Sequence, residues 1–190
     1  PTERFQEDYT RVLRALRFAV QLNATIESQT WEALKHFTNH LLDTREGKRL
    51  VPPETIGLEF LKSFTINPVS TLELWQESCT LGVIMPELAA LQNRQQSPDV
   101  HSEGNAWQHT LIALQTLETE EFKNRFGAAY LLMKLGVLFH DIGKPNTKSA
   151  PDAVSGRIHF FEHQTVGAKI VMSMTEKIKF DSAPENSPLH

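Results

Sequence analysis

Apolar residues recur along this chain at three- and four-residue intervals, the period of a helix that buries one face. Over residues 8–22 the stripe is Leu13, Leu16 and Val20, with Val12, Ala15 and Ala19 beside it. Trp31, Leu34, Thr38, Leu41 and Leu42 repeat it over 28–42. The Pro52–Pro53 pair breaks the chain and can open the next helix, which carries Ile56, Phe60, Leu61 and Phe64 on one face. Asn67–Pro68 reads as an N-cap followed by a first-turn proline. Val69, Leu72, Trp75 and Cys79 then line one side, and Gly82 is placed as a C-terminal cap. A short helix is expected over Met85–Leu91.

The pattern lapses at Gln92–Asn105, a polar, aperiodic stretch that marks the clearest boundary. Helical spacing resumes over Ala106–Thr119, over Arg125–Phe139 and at about Glu162–Lys179, where Val166, Ile170, Met174 and Ile178 come every four residues. Pro145–Arg157 reads as a polar loop and Asp181–His190 as a frayed tail. No stretch alternates with the period of two that a strand requires. The predicted fold class is all-α, in two parts, 1–92 and 93–190.

Composition changes this picture little. At 190 residues and 40% hydrophobic content the chain can bury a real core. A formal charge of −4 argues against a uniformly basic nucleic-acid coat, though local basic clusters can still bind RNA. The single Cys79 cannot form an internal disulfide. The longest apolar run, Ala128–Phe139, is interrupted by Lys134 and is too short to span a bilayer. With no signal peptide recognisable, a cytoplasmic location and no membrane partner are expected. The chain opens on Pro1 rather than Met, so it reads as a piece of something longer.

Two constellations carry chemistry. In Glu7–Asp8–Tyr9–Thr10–Arg11, helical spacing puts both carboxylates and the guanidinium on one face. As a surface ion pair this is worth only ~0.3–0.5 kcal/mol. A carboxylate only accepts hydrogen bonds and a guanidinium only donates them. Side by side they match a base edge with an amino group next to a ring-nitrogen acceptor, which cytosine and adenine share and guanine and uracil reverse. Arg4, Arg14 and Arg17 make the segment unusually rich in guanidinium groups, and Arg14 joins Glu7, Asp8 and Arg11 as a candidate nucleotide contact.

The second constellation is His109, followed after a helix-sized gap by His140–Asp141. Two imidazoles and a carboxylate suit a borderline divalent cation such as Mn²⁺, Ni²⁺, Co²⁺, Fe²⁺ or Zn²⁺. The plainer alternative is a core histidine beside a solvated aspartate, in a helix that stops near Pro145. Lys144 is a phosphate contact or a solvated loop lysine. His163 is a further ligand, a phosphate contact, or a structural histidine opening a helix. His36, His40, His159 and His190 have no such company in the sequence and read as surface residues.

These residues carry a resemblance. The segment from Glu7 to Ala19 is similar to the start of the neck helices in bacterial class II tRNA nucleotidyltransferases, the CCA-adding enzymes and their relatives the bacterial poly(A) polymerases. Leu81–Leu88, the His-x-Glu-Gly-x-x-x-x-His-Thr run from His101 to Thr110, His140–Pro145 and His163 continue the match in the family's order. The resemblance implies that Asp8 and Arg11 read incoming CTP and ATP while Glu7 helps to hold Arg11. It implies transfer of CMP or AMP to the 3′ end of a tRNA or another RNA, with Mg²⁺ held by a catalytic head expected before Pro1. It also implies an HD domain with a metal-dependent phosphohydrolase activity, truncated before its distal aspartate. Two departures stand out: Asn105 where relatives usually carry Asp, and Gln164 where they carry Glu. The alternatives are a free-standing HD-type nucleotide phosphohydrolase and a non-catalytic RNA-binding helical module.

Overall fold

The computed structural model describes residues 2–92, 105–150, 152 and 159–180. Among these the fold is all-α apart from one small hairpin. In chain order the helices are α1 (Thr2–Glu7), α2 (Thr10–Leu22), α3 (Ser28–Thr38), α4 (Pro53–Ile66), α5 (Pro68–Glu77), α6 (Thr80–Ile84), α7 (Pro86–Ala89), α8 (Ala106–Leu117), α9 (Glu120–Phe126), α10 (Tyr130–Phe139) and α11 (His163–Ile178). The hairpin pairs β1 (Thr44–Arg45) with β2 (Lys48–Arg49). Its turn residues Glu46 and Gly47 both have positive φ, 53° and 75°, as a primed turn requires. Strands of two residues are too short to leave an alternating pattern, so the sequence gives no warning of them.

The described residues form two compact units, one of 2–86 with 175–180 and one of 87–174. In the first, α2 packs along α4. Val12, Leu13 and Leu16 are buried, as are Ile56, Phe60, Leu61 and Phe64. Phe60 is enclosed by Phe64, Trp75 and Phe180, with ring centroids 5.2, 5.0 and 5.6 Å away. The Asn67 side chain caps α5 by accepting from the Ser70 amide at 2.9 Å, as the Asn-Pro signature predicts. In the second unit α8 packs on α10, with Trp107, Leu114, Leu131 and Leu138 buried.

Several helix boundaries differ from those the periodicity predicts. The helix expected over 8–22 starts at Thr10, and a separate helix, α1, precedes it across a break at Asp8–Tyr9. α3 ends at Thr38 rather than 42. α5 ends at Glu77, Cys79 is exposed with φ 64°, and Gly82 lies inside α6 rather than capping a helix. The 125–139 helix is interrupted at Gly127, whose φ of 47° no regular helix accommodates. α10 stops at Phe139, six residues before Pro145, which sits instead in a 3₁₀ turn over Lys144–Asn146. Taken as one piece, Glu120–Asn146 is long and apolar enough to cross a membrane. It is not one piece: α10 has ten residues, about 15 Å of helix against the roughly 30 Å of a bilayer core.

Candidate functional site

The first group of candidate residues is organised by the break between α1 and α2. Asp8 lies in the break, and its Oδ1 accepts from the Thr10 amide at 2.9 Å and from the Thr10 hydroxyl at 2.6 Å. This satisfies a donor that the start of α2 would otherwise leave unpaired. Glu7, Asp8 and Arg11 therefore do not share one continuous helix, as their spacing suggested. They meet across the break. Arg11 Nη1 donates to Glu7 Oε2 at 2.7 Å and to the Arg4 carbonyl at 2.7 Å. The Arg11 hydrogen bond holds the Glu7 carboxyl below its ordinary range.

Between Asp8 Oδ2 and Arg11 Nε the distance is 3.9 Å, too long for a hydrogen bond. Both side chains are a little over one-third exposed. Each is thus anchored through one atom, Asp8 by Oδ1 and Arg11 by Nη1, on a partly exposed side chain. Arg14, on the next turn of α2, is exposed and has no ion-pair partner among the described residues. Arg17 belongs elsewhere: its Nε donates to Glu59 Oε2 at 2.6 Å in a nearly buried pair that ties α2 to α4. His40 also has company the sequence did not show. Its ring stacks on Tyr9 at 5.5 Å and its Nδ1 lies 2.7 Å from Asp43 Oδ2.

The second group gathers in the second unit. His109 on α8, with His140 and Asp141 after α10, offers three ligand atoms all within 4.8 Å of one another. The plainer reading of the doublet is inverted here. Asp141 is the buried member at 2% exposure and His140 the exposed one. The His140 ring is positioned by its Nδ1, 2.7 Å from the Val137 carbonyl. That contact fixes Nδ1 as a donor and turns Nε2 toward Asp141, so Nε2 is the nitrogen that would hold a metal. Nε2 lies 3.2 Å from Asp141 Oδ2.

Lys144 is tied into the site: its partly exposed side chain donates from Nζ to Asp141 Oδ2 at 2.7 Å. Burial pushes the Asp141 carboxyl up, but hydrogen bonds from His140 and Lys144 outweigh it and hold the group at about 2. The hydrogen bond to Asp141 raises His140 in turn, against burial. His163, the first residue of α11, points Nε2 at Asp141 Oδ1 from 4.0 Å and is oriented by Nδ1 on the Phe160 carbonyl at 2.9 Å. The donor set fits a borderline divalent ion, with Lys144 supplying positive charge to the same carboxylate.

Three residues that build these sites were missed in the sequence: Thr10, Gly143 and Gly167. Thr10 could have been found from the Asp-x-Thr spacing, a common local turn. Asn105 caps α8 through a reciprocal box with Gln108, and its Nδ2 donates to the Gln92 carbonyl at 3.3 Å, which an aspartate could not do. Gly143 and Gly167 let the 140–146 turn lie directly against the start of α11. A Cβ on Gly143 would run into the His163 carbonyl oxygen and come within 2.8 Å of the Gly167 nitrogen. Gln164 is exposed. His101, Asp181 and His190 lie outside the described residues.

Comparison with known proteins adds what geometry alone does not. The chain is 32% identical over 180 residues to a CC-adding tRNA nucleotidyltransferase of Thermus thermophilus, covering 94% of this chain and 39% of that protein. The chain belongs to the tRNA nucleotidyltransferase family. It is also 29% identical over 186 residues to an A-adding tRNA nucleotidyltransferase of Deinococcus radiodurans, covering 95% of this chain and 40% of the relative. A multifunctional CCA protein of Neisseria meningitidis matches at 28% over 176 residues, 92% of this chain and 38% of the relative. The chain spans about two-fifths of the length of the curated relatives it matches. No family model matches it.

Proposed function

We propose that this chain is the nucleotide-selecting and HD-type part of a nucleotidyltransferase that adds CMP or AMP, from CTP or ATP, to the 3′ end of tRNA. The observation that carries the reading is the Asp8–Arg11 pair, two partly exposed side chains held 3.9 Å apart and each anchored from behind. Asp8 Oδ2 accepts from the exocyclic amino group of cytosine or adenine, and Arg11 donates to the adjacent ring nitrogen. Guanine and uracil present the opposite order, so both protein groups are left unpaired, a loss of a few kcal/mol per base. Arg14, one turn on, supplies charge for the phosphates. In this division residues 1–92 are the neck and 93–190 the HD domain, and nucleotidyl transfer itself uses Mg²⁺ held outside this chain. The test is equilibrium binding of the four nucleoside triphosphates. CTP and ATP bind more tightly than GTP and UTP, and Asp8→Ala or Arg11→Ala abolishes the difference. Equal binding of all four by the unaltered chain would falsify the reading.

A second activity is favoured by a separate observation, the convergence of His109, His140 and Asp141. These residues would hold a divalent transition metal such as Mn²⁺, Ni²⁺, Co²⁺, Fe²⁺ or Zn²⁺, which when bound acidifies water and offsets phosphate charge. Lys144, at Asp141 Oδ2, and His163, near Oδ1, then supply charge and a hydrogen bond to the substrate's phosphate ester. Titration with Mn²⁺ or Ni²⁺ gives saturable binding that Asp141→Ala removes. Unchanged binding in that variant would place the metal elsewhere.

A further inference from the structure

The nucleotide-reading pair has a hazard built into it. A carboxylate and a guanidinium 3.9 Å apart on flexible side chains attract one another. If they close into a direct ion pair, the acceptor and the donor that a base requires are consumed by each other. Something must hold the pair open. On the arginine side this is Glu7 and the Arg4 carbonyl, which occupy Nη1 from behind at 2.7 Å each. On the aspartate side the only hydrogen bonds among the described residues come from Thr10: its amide at 2.9 Å and its hydroxyl at 2.6 Å, both to Oδ1.

We propose that the Thr10 hydroxyl is a positioning group for base selection, holding Asp8 away from Arg11 so that Oδ2 stays available to an incoming amino group. This rests on the reading of Asp8 and Arg11 as the base-selecting pair. The carboxylate has no proton to give, so the hydroxyl is the donor. Its 2.6 Å length is that of a charge-assisted bond, roughly twice as strong as a neutral one. The amide alone fixes one oxygen but leaves the carboxylate plane free to turn about it. Two donors on the same oxygen fix the plane as well. Thr10 itself touches no base. Its effect passes entirely through the orientation of Asp8.

The test compares Thr10→Val, which keeps the shape and removes the hydroxyl, with Thr10→Ser, which keeps the hydroxyl and removes the methyl. Binding of CTP, ATP, GTP and UTP to the full chain is measured for both, beside the unaltered chain and Asp8→Ala. Circular dichroism and thermal melting establish that each variant is folded. Thr10→Val lowers the preference for CTP and ATP about tenfold, the equivalent of one charge-assisted hydrogen bond, and Thr10→Ser restores it. A helix cap without this role would shift the melting temperature and leave the ratio of affinities where it was. If Thr10→Val keeps the ratio while Asp8→Ala loses it, or if Thr10→Ser loses it too, the hydroxyl does not position Asp8 and the proposal falls alone. If the unaltered chain shows no preference, or Asp8→Ala retains it, the base-selecting pair falls and takes the proposal with it.

Discussion

Tyr130 keeps its proton far into alkaline solution. Its hydroxyl lies 2.8 Å from the Leu117 carbonyl and 2.9 Å from Glu118 Oε1. Burial first, and the Glu118 carboxylate second, push the phenol well above its ordinary 10.0. Lys134 completes this cluster, its Nζ 3.0 Å from the same Glu118 oxygen at 1% exposure. In Tyr130 the folded pKa is raised over the unfolded one. Its contribution to stability is therefore complete below about pH 10 and is lost as the pH climbs through the folded value. With Tyr9→Phe removing the other tyrosine, a tyrosinate absorbance titration of the folded chain rises well above pH 10. In denaturant the same titration falls back to about 10. At the same scale, Gly143→Ala forces a methyl group into the His163 carbonyl and the Gly167 nitrogen. It costs about 1–3 kcal/mol in urea unfolding, because the 140–146 turn must move away from the start of α11.

At the scale of elements, the joint between α2 and α4 rests on an ion pair sunk in apolar surroundings. Arg17 and Glu59 have side-chain exposures of 12% and 8%, within the contact between α2 and α4. Removing one partner strands the other. Glu59→Gln or Arg17→Met is expected to cost about 3 kcal/mol by denaturant unfolding, while the double change Arg17→Met with Glu59→Leu recovers most of the loss. Elements are also where the sequence was most and least informative. α4 and the start of α5 could be drawn almost to the residue, because Pro53 and Asn67–Pro68 are chemical stop and start signals, whereas the end of α5 at Glu77 carries no such signal. The break at Asp8–Tyr9 was hidden, because the apolar stripe begins only after it and the signal for it is one side chain reaching two residues forward. His109, His140 and Asp141 were legible from residue type and spacing. The burial of Asp141 and its bond to Lys144 were not, because they depend on how a turn folds back beneath α8.

At the scale of the whole molecule, the first compact unit is not a continuous piece of chain. It takes back residues 175–180 after the second unit has been completed. Gly57 on α4 admits this return: a Cβ there would lie 2.6 Å from the Ile178 carbonyl oxygen and 2.7 Å from that of Lys179. Ile178 and Phe180 are buried, and Phe180 faces Phe60. Phe180→Ala is therefore expected to cost about 3 kcal/mol or more. Native-state hydrogen exchange locates the damage: amides of α4 and α5 lose protection, while those of α8 and α10 keep theirs. Loss of protection confined to α8 and α10 would contradict this assignment. No local pattern announces the return, since a phenylalanine two residues past a helix looks the same whichever core receives it.

That late return sets an order on biosynthesis. A ribosome releases α1 to α6 long before it reaches Phe180, so the ring of Phe60 waits with one side uncovered while about a hundred further residues are made. Those intervening residues have time to collapse on their own, and the first unit can close only when α11 and Phe180 have emerged from the exit tunnel.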